Sequence, residues 1–192
     1  SSPIKNDILT LFLDDRGHIW LGYDNAFSVF TPSTEKFRHY TPSSIGLPYL
    51  GEVNSFTQTP DSIIWAASIS TGLIKIKNNE SLVASRVNIN NPSKKSTAES
   101  EPIFKVLADS NGDIWSLTPS SGIIKYSPKN NSTHRFTASS ENETSILSNT
   151  PIDIFEDQSK KIWICTLNGL SLYNRESTSF YNFTTLNTNL PS

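Results

Sequence analysis

Apolar and polar residues alternate along this chain in short runs of about five residues, bounded by Gly, Asp, Asn or Ser, the pattern of half-buried β-strands. The first unit runs Asp7–Phe12, Ile19–Tyr23, Phe27–Phe30 and Lys36–Tyr40. The second runs Glu52–Phe56, Ile63–Ala67, Leu73–Ile76 and Ser85–Ile89. Ile103–Leu107, Asp113–Leu117, Ile123–Tyr126 and Thr133–Phe136 make a third, and Ile152–Phe155, Lys161–Cys165, Leu170–Tyr173 and Ser179–Phe183 a fourth. Four short antiparallel strands form one blade, so the pattern predicts an all-β chain of four consecutive four-stranded blades.

The same phrase closes the first hairpin of every unit. Trp20, Trp65, Trp115 and Trp163 stand 45, 50 and 48 residues apart, in Gly17-His18-Ile19-Trp20, Ser62-Ile63-Ile64-Trp65, Gly112-Asp113-Ile114-Trp115 and Lys160-Lys161-Ile162-Trp163. A β-rich unit repeating at this period is the mark of a β-propeller. The tryptophans are therefore assigned to architecture. Gly72, Gly122 and Gly169 follow where the hairpin between second and third strands needs positive φ, which glycine adopts without steric cost. Ala26 takes that place in the first unit, so its turn is expected to differ or to carry strain.

The repeats span approximately 4–44, 50–90, 101–138 and 150–188 of one domain covering 1–192. Asn88 to Pro102 and Ala138 to Pro151 are long, polar and aperiodic, so they read as exposed loops between blades, with a smaller break at Thr41 to Gly51. Four blades are few for a closed ring. The expectation is a partial β-propeller, a fragment of a larger one, able to self-associate through its open blade faces.

Composition narrows the chemistry. A net charge of -2, with 16 basic residues scattered along the chain, offers no basic stripe to follow a phosphate backbone, and nucleic acid is not an expected partner. Cys165 is the only cysteine, so no intrachain disulfide forms and the residue reads as a small strand hydrophobe. No apolar run approaches the roughly 18 to 20 residues that span a bilayer. Ser1-Ser2-Pro3-Ile4-Lys5-Asn6 reads as neither signal peptide nor anchor, which leaves a membrane anchor to a longer parent.

Several phrases resemble the two-component regulator propeller repeats in the periplasmic sensor region of bacterial hybrid histidine kinases, especially those of gut Bacteroides-like organisms. Phe155-Glu156-Asp157, Ile162-Trp163-Ile164-Cys165-Thr166, Gly169-Leu170, Leu172-Tyr173-Asn174 and Phe180-Tyr181-Asn182-Phe183 carry the resemblance in the fourth unit. Leu13-Asp14-Asp15, Gly17, Ile19-Trp20-Leu21-Gly22 and Phe37-Arg38-His39-Tyr40 carry it in the first. The resemblance implies a segment of a seven-bladed propeller, outside the inner membrane. It implies an oligosaccharide ligand derived from polysaccharide, and a signal passed through the membrane to a cytoplasmic kinase.

Candidate sites follow from both lines. Loops at one mouth of a propeller place aromatic rings against sugar faces and neutral polar groups against hydroxyls, and Tyr23, Asp24, Asn25, Tyr49, Ser70, Thr71, Ser120, Ser121 and Asn168 lie in such connections. The carboxylates Asp14, Asp15, Asp61, Asp109, Asp113, Glu156 and Asp157 recur beside hairpins in every unit, which assigns them to turns rather than to calcium or acid-base work. His18, His39 and His134 form no pair at metal-ligand spacing, and no nucleophile elbow or phosphate loop is present. No catalytic residue, metal or cofactor is expected in this segment. A scaffold for protein contacts or dimerisation is the alternative function, and a propeller lyase or hydrolase, with titratable groups converging from several blades, the third.

Overall fold

The computed structural model describes residues 2–78, 82–89 and 101–185. Most of the expected loop over 88–102, and the fourth repeat beyond Thr185, lie outside the described residues. β1 (Thr10–Leu13), β2 (Ile19–Tyr23), β3 (Ala26–Thr31) and β4 (Lys36–Tyr40) pair in that order as an antiparallel meander, blade 1. β5 (Val53–Gln58), β6 (Ile64–Ser68), β7 (Gly72–Asn78) and β8 (Leu82–Val87) make blade 2. Blade 3 is β9 (Lys105–Ala108), β10 (Ile114–Leu117), β11 (Ile123–Ser127) and β12 (Ser132–Phe136). Blade 4 is β13 (Pro151–Glu156), β14 (Ile162–Thr166), β15 (Gly169–Asn174) and β16 (Ser179–Phe183). The four sheets are consecutive blades of a partial β-propeller.

Register explains how alternation becomes a seam. Phe12 pairs with Trp20 and Trp20 with Val29, so these three share the face of blade 1 that turns toward blade 2. There they join Val53, Phe56, Ile64 and Ile74 in one apolar cluster. Trp65 opens an equivalent cluster with Ile103, Val106 and Ile114 of blade 3, and Trp115 another with Ile154, Ile162 and Ile164 of blade 4. One ring from each following blade meets the indole: Phe56 at 5.8 Å from Trp20, Tyr126 at 5.9 Å from Trp65 and Tyr173 at 4.7 Å from Trp115. These three tryptophans are at most 1% exposed, whereas Trp163, which turns away from blade 3, is only half-buried.

Edges are covered from within the chain. Successive blades touch through their first strands. The Val106 and Ala108 N–H groups on the edge of β9 donate to the Ser55 and Thr57 hydroxyls of β5 at 3.3 and 2.8 Å. At the outer rim, the connection before blade 4 accepts the Phe180 N–H on its Thr144 carbonyl at 2.8 Å. Such pairing satisfies groups that would otherwise template aggregation. Two apolar stretches stay open: Leu11 and Leu13 on blade 1 are 64% and 65% exposed, and Phe155 and Tyr181 on blade 4 are 61% and 60% exposed.

Strand starts differ from the pattern by two or three residues in three places. β1 starts at Thr10 rather than Asp7, because only the Leu9 N–H beyond it reaches the Gly22 carbonyl of β2. β8 begins at Leu82 rather than Ser85, since β7 runs on to Asn78 and pairs it with Leu82. β9 spans Lys105–Ala108, its predecessors Ile103 and Phe104 bonding instead to the Ser68 and Leu117 carbonyls.

Candidate functional site

Hairpins between first and second strands lie at one end of the blades, and those between second and third strands at the other. At the first, or turn, end each blade holds its own tryptophan. Asp14 Oδ1 accepts the backbone N–H groups of Arg16 and His18 at 3.0 and 2.8 Å, while Oδ2 accepts the Trp20 indole N–H at 2.9 Å. Asp109 does the same for Asn111, Asp113 and the Trp115 indole, at 2.9, 3.1 and 2.9 Å. Asp157 takes the Lys161 N–H at 3.0 Å and the Trp163 indole at 2.8 Å. Blade 2 replaces the carboxylate with Thr59, whose hydroxyl accepts the Trp65 indole at 3.2 Å and donates to the Ile63 carbonyl at 3.1 Å.

These bonds set the charge state of the turns. Burial opposes ionisation of Asp14, but the indole N–H of Trp20, the backbone N–H and ring of His18 and the Arg16 N–H together hold its carboxyl below the usual range. The Trp163 indole and the Lys161 N–H lower Asp157 likewise. Of the other recurrent carboxylates, Asp15 accepts the Ser62 hydroxyl at 2.6 Å, Asp113 pairs with Lys125 at 3.2 Å, and Glu156 shares Arg175 with Asp109, at 3.1 and 3.0 Å, while Asp61 stands exposed. The indole clamp escapes the sequence reading, although Asp stands six residues before Trp in three of the four units.

The second, or hairpin, end gathers the residues singled out for ligand contact. In blades 2, 3 and 4 a hydroxyl three residues past the tryptophan ties the turn together. Ser68 Oγ accepts the N–H groups of Ser70 and Thr71 at 3.2 and 3.1 Å and donates to the Leu50 carbonyl at 2.9 Å. Thr118 accepts the Ser121 N–H at 2.9 Å and Thr166 the Asn168 N–H at 3.2 Å, and each donates to the carbonyl of the hairpin glycine. Gly72, Gly122 and Gly169 adopt φ of 79°, 78° and 134°. A Cβ on Gly122 or Gly169 would also lie 2.1 or 2.4 Å from the Phe136 or Phe183 carbonyl, so close approach as well as φ demands glycine.

Blade 1 departs from this plan. Its turn is the pair Asp24-Asn25, Asn25 takes the positive φ at 56°, and Ala26 is relieved of it. Tyr23 occupies the hydroxyl position, fully buried, with its phenol oxygen lacking a hydrogen-bond partner among the described residues. Its side chain is therefore closed to a ligand in this state, and buried Thr71 is nearly so. Asn25 Oδ1 accepts the Leu50 and Gly51 N–H groups at 3.0 and 3.4 Å, and bare Gly51 admits Ser70, which a Cβ there would meet at 2.6 Å. Asp24, Tyr49, Ser70, Ser120, Ser121 and Asn168 are exposed. Asn168 donates to the Leu147 carbonyl at 3.2 Å, and the Ser121 carbonyl accepts from Arg135 at 3.0 Å.

Unforeseen from the sequence is a hollow of about 320 Å³ in the connection before blade 4, lined by Ser139, Ser140, Asn142, Glu143, Ser145 and Asn182 among others. The density of Ser, Asn and Thr over 138–150 is its only sequence signal.

The histidines stand apart. His18 Nδ1 lies 3.1 Å from Asp14 Oδ2, His39 Nδ1 lies 2.9 Å from Ser28 Oγ, and His134 packs on the Phe136 ring at 4.4 Å. Ser28 with His39 has the elements of a nucleophile and base, yet Ser28 is wholly buried, and blade 4 places Ser171 and Asn182 at the same register, 2.7 Å apart. That pair is part of blade construction. Among the described residues, no three His, Cys, Asp or Glu side chains gather to hold a metal ion.

No protein-family model matches the sequence, and no curated protein matches it. Solved structures do share its fold. One described as the extracellular domain of a hybrid two-component system from B. thetaiotaomicron matches 94% of this chain at 18% identity with a TM-score of 0.75. Virginiamycin B lyase from Staphylococcus aureus matches 97% at 13% identity and 0.69, and PorZ, a surface component of the type-IX secretion system of Porphyromonas gingivalis, matches 100% at 18% identity and 0.67. The chain covers 24%, 59% and 29% of those three chains, so it spans about a quarter of the length of the first. At such identities the likeness is one of propeller fold, and the fold alone hosts unrelated functions.

Proposed function

We propose that this chain is a segment of an extracytoplasmic sensor domain of a hybrid two-component system. It recognises a polysaccharide-derived oligosaccharide at its hairpin end, on the periplasmic face of the inner membrane, and a longer membrane-anchored parent relays the signal to a cytoplasmic histidine kinase. The match over 94% of the chain to the two-component extracellular domain, at a TM-score of 0.75 against 0.69 for the lyase, supports this reading most. The hairpin end supplies suitable chemistry. Exposed Ser70, Ser120, Ser121 and Asn168 present neutral hydrogen-bonding groups, and the Tyr49 ring, 49% exposed, offers a face for a sugar. In this reading the segment is not an enzyme and needs neither cofactor nor metal.

Calorimetry of the complete extracellular region against a panel of oligosaccharides tests the proposal. Binding of one glycan class is expected, and failure to bind any of them would sink it. The open face of blade 4, with Phe155, Tyr181 and half-buried Trp163, favours a second reading, a scaffold for protein contacts or dimerisation. Sedimentation of the 192-residue chain separates the two surfaces: concentration-dependent self-association supports a contact face, a monomer throughout argues against it.

A further inference from the structure

A lysine lies over the tryptophan in blades 2 and 3, and in blade 2 its acidic partner is replaced. In blade 3, Lys125 pairs across the sheet with Trp115, holds its ammonium 5.7 Å from that ring and meets the Asp113 carboxylate at 3.2 Å. Lys75 repeats the register on Trp65, with its ammonium 5.3 Å from the ring. The residue two before the tryptophan, Asp113 in blade 3, is here Ile63. Lys75 is half-buried and enters no ion pair among the described residues. Its seam lacks the neighbouring charges as well: where the next seam joins Asp109, Glu156 and Arg175, the matching positions are Thr59, Ala108 and Pro128. An indole face offsets only part of what an ammonium gives up on leaving water, and an anion supplies the rest.

Space for that anion is present. A cleft of about 350 Å³ opens beside Lys75 at the turn end of blades 2 and 3, lined also by exposed Lys129 and Asp61 and by the apolar surfaces of Pro60, Ile63 and Pro128. This volume falls in the lower range of small-molecule sites. Two ammonium groups against one carboxylate leave a single positive charge, which suits a monoanion better than a dianion. The larger cleft of about 540 Å³ between blades 3 and 4 differs, because Arg175 there is already joined to Asp109 and Glu156. We infer that the cleft beside Lys75 binds a small organic monocarboxylate. The ligand carboxylate takes the place beside Lys75 that Asp113 takes beside Lys125, and the body of the ligand lies against Pro60, Ile63 and Pro128. A free acid and a uronic acid residue of a glycan share this chemistry. The site lies at the end opposite the hairpin turns and stands without the sensor reading.

NMR titration of the 192-residue chain with glucuronate, isobutyrate and glucose tests it, because the Trp65 indole N–H reports on the cleft while Trp20 and Trp163 serve as controls. The Trp65 resonance is expected to shift saturably with at least one of the two acids and to stay in place with glucose. A stronger response to glucuronate assigns the site to an acidic sugar, and a stronger response to isobutyrate assigns it to a free acid. Lys75→Met is expected to weaken binding about tenfold or more, the worth of one bond to a charged group. Ile63→Asp should weaken it by another route, since it supplies a carboxylate from within the chain as Asp113 does. A Trp65 resonance unmoved by both acids, an equal response to glucose, or affinity retained in folded Lys75→Met overturns the site. Should Lys75→Met not fold, Ile63→Asp decides, and an unchanged affinity there overturns it.

Discussion

At the turn end, Asp14, Asp109 and Asp157 hold their tryptophans at 2.9, 2.9 and 2.8 Å, while at the hairpin end the corresponding turns are Asp24-Asn25, Ile69-Ser70-Thr71, Pro119-Ser120-Ser121 and Leu167-Asn168. One end repeats its bonds almost atom for atom, and the other varies in length and chemistry from blade to blade. Repetition inside a single chain separates what a blade needs in order to exist from what it is free to change. In the proposed reading, selectivity for a ligand belongs to the hairpin end, and a lesion at the turn end acts through stability.

The largest effect expected at the turn end is from Trp115→Ala. Removing a fully buried indole costs about 3–5 kcal/mol, measured by urea unfolding, whereas Trp163→Ala costs clearly less, because that ring is only half-buried among the described residues. Equal losses would mean that the clamp, present in both, outweighs burial.

Next comes Arg175→Met. The Asp109 side chain is 0% exposed and would keep its carboxylate without the guanidinium, at a cost of about 2 kcal/mol. The value falls below that of a fully buried pair because Arg175 is itself 30% exposed. A double-mutant cycle with Glu156→Gln measures how much of this belongs to the three-residue network.

Acid sharpens the same contrast. Asp14 and Asp157 have carboxyls that their hydrogen bonds hold below the usual carboxylate range in the folded chain. A depressed carboxyl contributes stability fully above its unfolded pKa, and that contribution is lost as pH falls through the lower folded value. Unfolding monitored by tryptophan fluorescence is therefore expected to become easier below about pH 4. Asp14→Asn should flatten that dependence. A slope unchanged by the substitution would remove Asp14 from the acid response.

The smallest stability effects are expected at the hairpin end. Ser120→Ala and Tyr49→Ala alter exposed side chains and should stay within about 0.5 kcal/mol of the parent. A large loss at either position would place architecture where this account places recognition.

How much of this was legible in the residues depended on the range of the interaction. Local rules carried the strands, since period-two alternation is enforced by the pleat, and the hairpin glycines, since positive φ is a property of one residue. Ala26 in blade 1 was legible as a departure, but not the Asn25 φ that resolves it. Tyr23 looked like a hairpin residue open to ligands. It is buried because its position, three past the tryptophan, points inward in every blade, where Ser68, Thr118 and Thr166 are buried too. Longer reach escaped. Arg175 meets Asp109 across 66 residues, and beyond its polar composition nothing in the Ser- and Asn-rich run before Pro151 announces a hollow closed by Asn182.

The division between the two ends is tested most directly by pairing thermal unfolding with oligosaccharide calorimetry on the complete extracellular region, for Tyr49→Ala and Ser120→Ala beside Arg175→Met. The account predicts that the hairpin-end changes weaken binding of the recognised glycan with little change in melting, and that Arg175→Met lowers melting with affinity retained in the folded fraction. Glycan affinity lost with Arg175→Met and untouched by the hairpin-end changes would contradict it.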